Sequence, residues 1–509
     1  MLPRLSKYKR FYNNQYALLH DGYSYDQIMT VSREFIKNTE GTLDCIAAKS
    51  YLARLFTSQG RFEEFDTLTK DLKLTGDNLV DYLILDMQSI YYIGLNDPTT
   101  DFPKSQEFHN NAQTIAEKMV FQDKWEEAIV RVLGLFRYMA LSPDPAKIFN
   151  SINQILEIFD SNPSIGGAKY SFLNNLGVAY LTIGKLDLAL DLLNKSFNFF
   201  SKSDFSIIQI IAIANYYFMK NELGKSKESL AVALERSDQS TNYWLKTMPL
   251  RFESIILEHE QKFDDLEKNL VKNLQIANDF GNNYKIFLRN LDLYIFYLNR
   301  FKNTDDNVYI TKANEIKMDL EQLALKQPNI STIKRLTNYA NALIYRFGTI
   351  KQKFKAVEIY EELIKIYPHR AQFRLDLIEL YWNDLEYDVN GESKARIDEL
   401  IAELEKLPLM TIETHNSLTI SFKILIAKYN FYINGKTKEA LESLYSLQST
   451  ARSHGYVMID EKLNKEIMIL ERDSKWNRDD PSLKERFNKF KITSYIEGAK
   501  SLLASEFKN

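Results

Sequence analysis

The stretch Tyr170-Ser-Phe-Leu-Asn-Asn-Leu-Gly-Val-Ala-Tyr180, continuing as Leu-Thr-Ile-Gly184-Lys-Leu-Asp-Leu-Ala189-Leu-Asp-Leu-Leu193-Asn-Lys-Ser196, holds the pattern that organises the chain. Leu173, Leu176 and Tyr180 recur at three- and four-residue intervals, so they line one face of a helix. Gly177 removes a side chain where a second helix must come close, and Gly184 ends the first helix. Leu186, Ala189, Leu190 and Leu193 form the answering face, with Ala189 small enough for a tight crossing. The window predicts an antiparallel helical hairpin.

Outward from this window the same three- and four-residue apolar spacing continues, and sustained alternation is hard to find, which predicts an all-α chain. With 17 Gly and 11 Pro in 509 residues, the chain lacks the turn residues that many short strands demand. An apolar fraction of 45% and 61 Phe and Tyr together suffice to bury a core throughout. Glycines 22, 60 and 94, and again 184 and 224, fall 34 to 40 residues apart. Weaker copies of the hairpin lie around Tyr51 to Phe65 and Ile424 to Leu444, and roughly a dozen hairpins are expected in all. The expected organisation is N-terminal helical repeats over 1–104, a central solenoid over 105–480 and C-terminal capping helices over 481–509.

The residues of the best window resemble the tetratricopeptide repeat (TPR): a large apolar residue, Leu-Gly, Tyr, then Gly, Ala and a further apolar residue at the family's offsets. Leu173 stands where the family has Trp, and Ser196 where it has Ala. Ala277 and Gly281, like Ala451 and Gly455, close a second helix in the longer format that resembles the extended repeats of bacterial signal-responsive regulators and kinesin light chains. The resemblance implies a right-handed superhelical solenoid of antiparallel helix pairs whose first helices line a concave groove.

Charge and targeting signals narrow the setting. With 65 basic and 68 acidic residues interspersed, the net charge of −3 supplies no long-range field for nucleic acid or an anionic membrane, so neither is expected as a partner. Cys45 stands alone in an apolar setting and reads as a buried thiol. Lys7, Lys9 and Arg10 interrupt the first turns, so no secretory signal is expected. The most apolar stretch, Ile207 to Met219, is too short to span a bilayer. A cytoplasmic protein is expected.

No constellation points to catalysis. The six His are dispersed without a metal-ligand spacing. Gly435-Lys436-Thr437 lacks the preceding glycine and strand of a phosphate loop. Phe263-Asp264-Asp265-Leu-Glu267 is better read as a helix N-terminus, where carboxylates meet the macrodipole favourably. No metal or cofactor is implied. The expected function is a non-enzymatic scaffold that binds a protein or peptide; the alternatives are a ligand-responsive regulatory solenoid and, behind it, a helical transferase.

Asparagine supplies the candidate contacts. Asn175 precedes the Leu-Gly pair, Asn215 follows 40 residues later, and Asn290 precedes Leu291-Asp292. An amide on the concave face both donates to and accepts from an extended peptide's main chain. The resemblance implies Asn175, Asn215 and Asn290 as contact residues; nearby Tyr216, Trp244 and Arg289, with Asn174, Asn341 and Tyr243, would supply aromatic anchors and charge, because Tyr, Trp and Arg dominate binding energy at interfaces. Solvated asparagines and core aromatics are the plain alternatives.

Overall fold

A computed structural model describes residues 5–474 apart from 60, 96–100, 142–155, 162–165, 183–185, 282, 305, 327–349, 367, 369–370, 385–390, 408–416 and 454–456. Gly184, Asn341 and the expected cap over 481–509 therefore lie outside the described residues. Among those described there is no strand. The N-terminal helices are α1 (Ser6–His20), α2 (Tyr25–Asn38), α3 (Leu43–Ser58), α4 (Phe62–Thr69), α5 (Asn78–Leu95), α6 (Asp101–Lys118) and α7 (Lys124–Leu141). The central helices are α8 (Gly167–Thr182), α9 (Leu186–Phe200), α10 (Ser206–Met219), α11 (Leu223–Gln239), α12 (Tyr243–His259), α13 (Phe263–Phe280), α14 (Asn283–Thr304) and α15 (Asn307–Lys326). They are followed by α16 (Ile350–Ile366), α17 (Ala371–Asp384), α18 (Glu392–Glu405), α19 (Ser417–Tyr432), α20 (Thr437–Ser453) and α21 (Val457–Asp473).

Local chemistry starts several of these helices. Ser24 and Gln27 exchange the two hydrogen bonds of a capping box at α2, and the Asn242 side chain accepts from the backbone N–H groups of Trp244 and Leu245 at α12. Most consecutive helices among those described then pack against each other along the chain. The resulting layers share four apolar cores. The first runs from Leu5 to Leu176 and includes both Leu85 and Ala112. The second runs from Leu266 to Tyr429.

The other two cores join parts that are distant in sequence. One packs Leu19 and Ile28 against Phe200, Ile207, Ile211 and Phe252. There Gly22 has φ +95°, and a Cβ would stand 3.0 Å from the Lys202 carbonyl oxygen, so only glycine fits. Thr241 Oγ1 donates to Asp26 Oδ2 at 2.8 Å across the same junction. The last core unites Leu181, Leu186 and Tyr216 with Ile420, Phe431, Leu444 and Leu470. Helix α10 is thus covered from the N-terminal helices on one side and joined to the C-terminal ones on the other. No helix among the described residues is long and apolar enough to cross a membrane.

Candidate functional site

The crossing at Gly177 is tight: a Cβ there would lie 2.7 Å from Leu193 Cγ and 3.2 Å from the Ala189 carbonyl oxygen. Ser196 Oγ donates to the Tyr170 carbonyl at 2.8 Å and ties the far ends of α8 and α9 together. In the next pair Ala214 takes the close-approach position and Ser226 Oγ donates to its carbonyl at 2.9 Å. In the pair after that, Ser254 Oγ donates to Asn269 Oδ1 at 2.8 Å and the Asn269 amide donates to Glu253. The turns repeat as well. Arg61, Glu222 and Lys262 donate their backbone N–H groups to the carbonyls of Phe56, Tyr217 and Leu257 at 2.9, 2.8 and 2.9 Å, and Tyr23 and Asn434 close on Leu18 and Tyr429 in the same six-residue way.

These are TPR-like helix pairs.

No protein-family model matches the sequence, and no curated protein is similar to it. Among solved structures, the apo form of RapI is similar at 12% identity and a TM-score of 0.39, over 72% of this chain and 98% of RapI. Human IFIT1 with PPP-AAAA is similar at 13% identity and a TM-score of 0.40, over 89% of this chain and 96% of IFIT1. A monomeric IFIT1 mutant with Gppp-AAAA gives 13% and 0.40, over 88% and 95%. The likeness is one of helical architecture.

The expectation that nucleic acid is excluded as a partner is corrected by these structures, since IFIT1, a helical solenoid, holds PPP-AAAA and Gppp-AAAA. Net charge is a sum over the whole molecule, whereas a cleft is governed by the few charges that line it, so −3 overall decides nothing there.

The six candidate residues are placed unequally. Asn175 on α8 is exposed and Asn215 on α10 is half-buried. Asn290 on α14 is 4% exposed, and its amide donates to the Ile286 carbonyl at 3.1 Å, so it is spent inside its own helix. Asn175 comes two residues before the close-approach Gly177, and Asn215 one residue after Ala214, so the two are not equivalent positions. Tyr216 is buried in the core that joins the centre to the C-terminal helices, with its ring 5.3 Å from Tyr217. Trp244 is half-buried against the neighbouring core. Arg289 is interior, with Nη1 3.0 Å from Asp292 Oδ2.

Beside them stands Asn174. It is 3% exposed; its amide donates to Asn175 Oδ1 at 3.2 Å, and its own Oδ1 is buried with no hydrogen-bond partner. The first helices also carry ion pairs with largely buried cations that periodicity did not reveal. Arg54 on α3 pairs with Asp86 on α5. Arg374 on α17 meets Glu403 on α18 at 2.8 Å and donates to the Pro368 carbonyl at 2.9 Å. Lys428 on α19 meets Glu466 on α21 at 2.6 Å. Burial lowers the Lys428 ammonium from the ordinary 10.5 to about 8, against the pull of Glu466 and Glu379 and with Lys462 adding to the fall. Each of these cations has a carboxylate partner.

Proposed function

We propose that the chain is a non-enzymatic scaffold that holds an elongated polypeptide along its first helices. The observation that carries this reading is the Asn174–Asn175 pair, in which the buried Asn174 amide donates to Asn175 Oδ1 and holds the exposed Asn175 amide in place. An exposed amide can both donate to and accept from a peptide main chain. Asn215 extends the contact along the next first helix, and half-buried Trp244 supplies an aromatic edge. Arg289 and Asn290 support this face from within. Arg54, Arg289, Arg374 and Lys428 each pair with a carboxylate, so these four hold the helices together and are not offered as partner contacts. No catalytic step is proposed, and the lone buried Cys45 thiol suits a cytoplasmic setting.

The test is capture from the source cell with both polypeptide and nucleic acid recovered, followed by titration of the captured partner. Joint replacement of Asn174, Asn175 and Asn215 by Ala is expected to weaken binding about 10- to 100-fold, at ~1 kcal/mol per hydrogen bond. Asn290→Ala is expected to leave it unchanged. Equal binding by the triple variant, or capture that nuclease abolishes, would overturn the proposal. The regulatory alternative, in which binding changes the curvature of the array, is favoured by the contact of the C-terminal helices with the central ones.

A further inference from the structure

Consecutive helices pack against each other from α10 to α15, from α16 to α18 and from α19 to α21, and the core that runs from Leu266 to Tyr429 joins the three groups. There the array returns to its own beginning: Leu181, Leu186 and Tyr216 share a core with Ile420, Ile424, Phe431 and Leu444. At the rim Asn221 Nδ2 donates to Glu461 Oε1 across 240 residues of sequence. From α10 to α21 the described helices therefore form a circuit whose two ends meet at a seam that the chain does not cross.

The seam is weaker than the joints around it. Its polar contact is 3.4 Å long between exposed side chains, whereas the buried Lys428–Glu466 contact that joins α19 to α21 is 2.6 Å. Met219 and Ile459, each two residues from that contact, stay half-buried, so water is incompletely excluded there. An exposed hydrogen bond of this kind contributes about 0–1 kcal/mol. Elements held at their rim by solvent-exposed hydrogen bonds open at the low end of a protein's free-energy range.

We infer that this seam is a gate: the α20–α21 end parts from the α10–α11 turn to admit an elongated chain and closes around it. The inference rests on the binding reading above for its purpose, but the opening itself needs no partner. A closed circuit that had to be threaded from an end would admit only free termini; a seam that opens admits any internal segment.

The test places spin labels at Asn221→Cys and Glu461→Cys in a Cys45→Ala background and measures their separation by double electron–electron resonance. A short distance is expected in buffer, with a longer population that grows in urea below the global unfolding transition. A control pair, Lys227→Cys with Glu260→Cys, spans neighbouring hairpins at an ion pair and should keep one short distance over the same range. A seam pair that stays single and short until global unfolding, or that is never short, overturns the gate. A disulfide formed between the same two cysteines before the captured partner is added should slow association on the order of tenfold or more. Undiminished association with a ring shown to be locked also overturns the gate, while leaving the binding reading intact.

Discussion

Gly177, Ala189 and Leu193 meet at one crossing, and each was legible in the sequence because the spacing left only one face for them. Gly177→Ala is expected to destabilise the protein by about 1–3 kcal/mol, since fully buried Leu193 has no room to yield; urea unfolding of the variant checks this. The equivalent crossings two helices on were not legible. Ser226 and Asn269 hold their pairs together with hydrogen bonds that apolar periodicity does not register. Turns were hidden for a similar reason. Asn221 and Gln261, forty residues apart, adopt φ of +59° and +58°, the work a glycine was expected to do, while Gly224 sits three residues after Asn221 inside α11. Gln261→Gly should therefore raise stability by up to about 1 kcal/mol, and a lowered urea midpoint would count against that turn geometry.

At the scale of the element, α10 shows how an apolar run can be read correctly while its cause is missed. Its length ruled out a membrane span, yet its burial comes from Leu19 and Ile28 on one side and from the C-terminal core on the other, which no local pattern discloses. Gln209 is fully buried in this helix with neither amide atom bonded. Gln209→Met keeps the volume and removes the unpaired dipole, so it should stabilise the protein by about 1–3 kcal/mol, read from the denaturant midpoint. Helix α19 carries the pH dependence. Between about 8 and 10.5 the unfolded chain keeps the Lys428 proton that the folded chain has lost, so stability should rise with pH in that interval, by up to about 3 kcal/mol. The rise should turn over near pH 10, where Tyr8, Tyr12 and Tyr51, pushed well up by burial, still hold protons that unfolded tyrosines release. Lys428→Met should flatten the rise between pH 8 and 10; an unchanged slope would contradict the assignment.

For the molecule as a whole, the sequence foretold the class of fold and little of its closure. Helix pairs are local and announce themselves by spacing; the contact of Asn221 with Glu461 joins surfaces far apart in the chain and leaves no periodic trace. The candidate site divides along the same line. Asn175 and Asn215 are accessible, whereas Asn290 and Arg289 carry similar local sequence and lie inside, because burial at α14 depends on helices packed against it from elsewhere. The central claim is that the first-helix face, and not the outer face, meets a polypeptide. It is tested most directly by placing a photo-cross-linking phenylalanine analogue at Asn175, and separately at Val232, which is 43% exposed on the second helix α11, in the source cell. The account predicts an adduct with a polypeptide from position 175 and none from 232; equal adducts from both, or an adduct from 175 that nuclease removes, would contradict it.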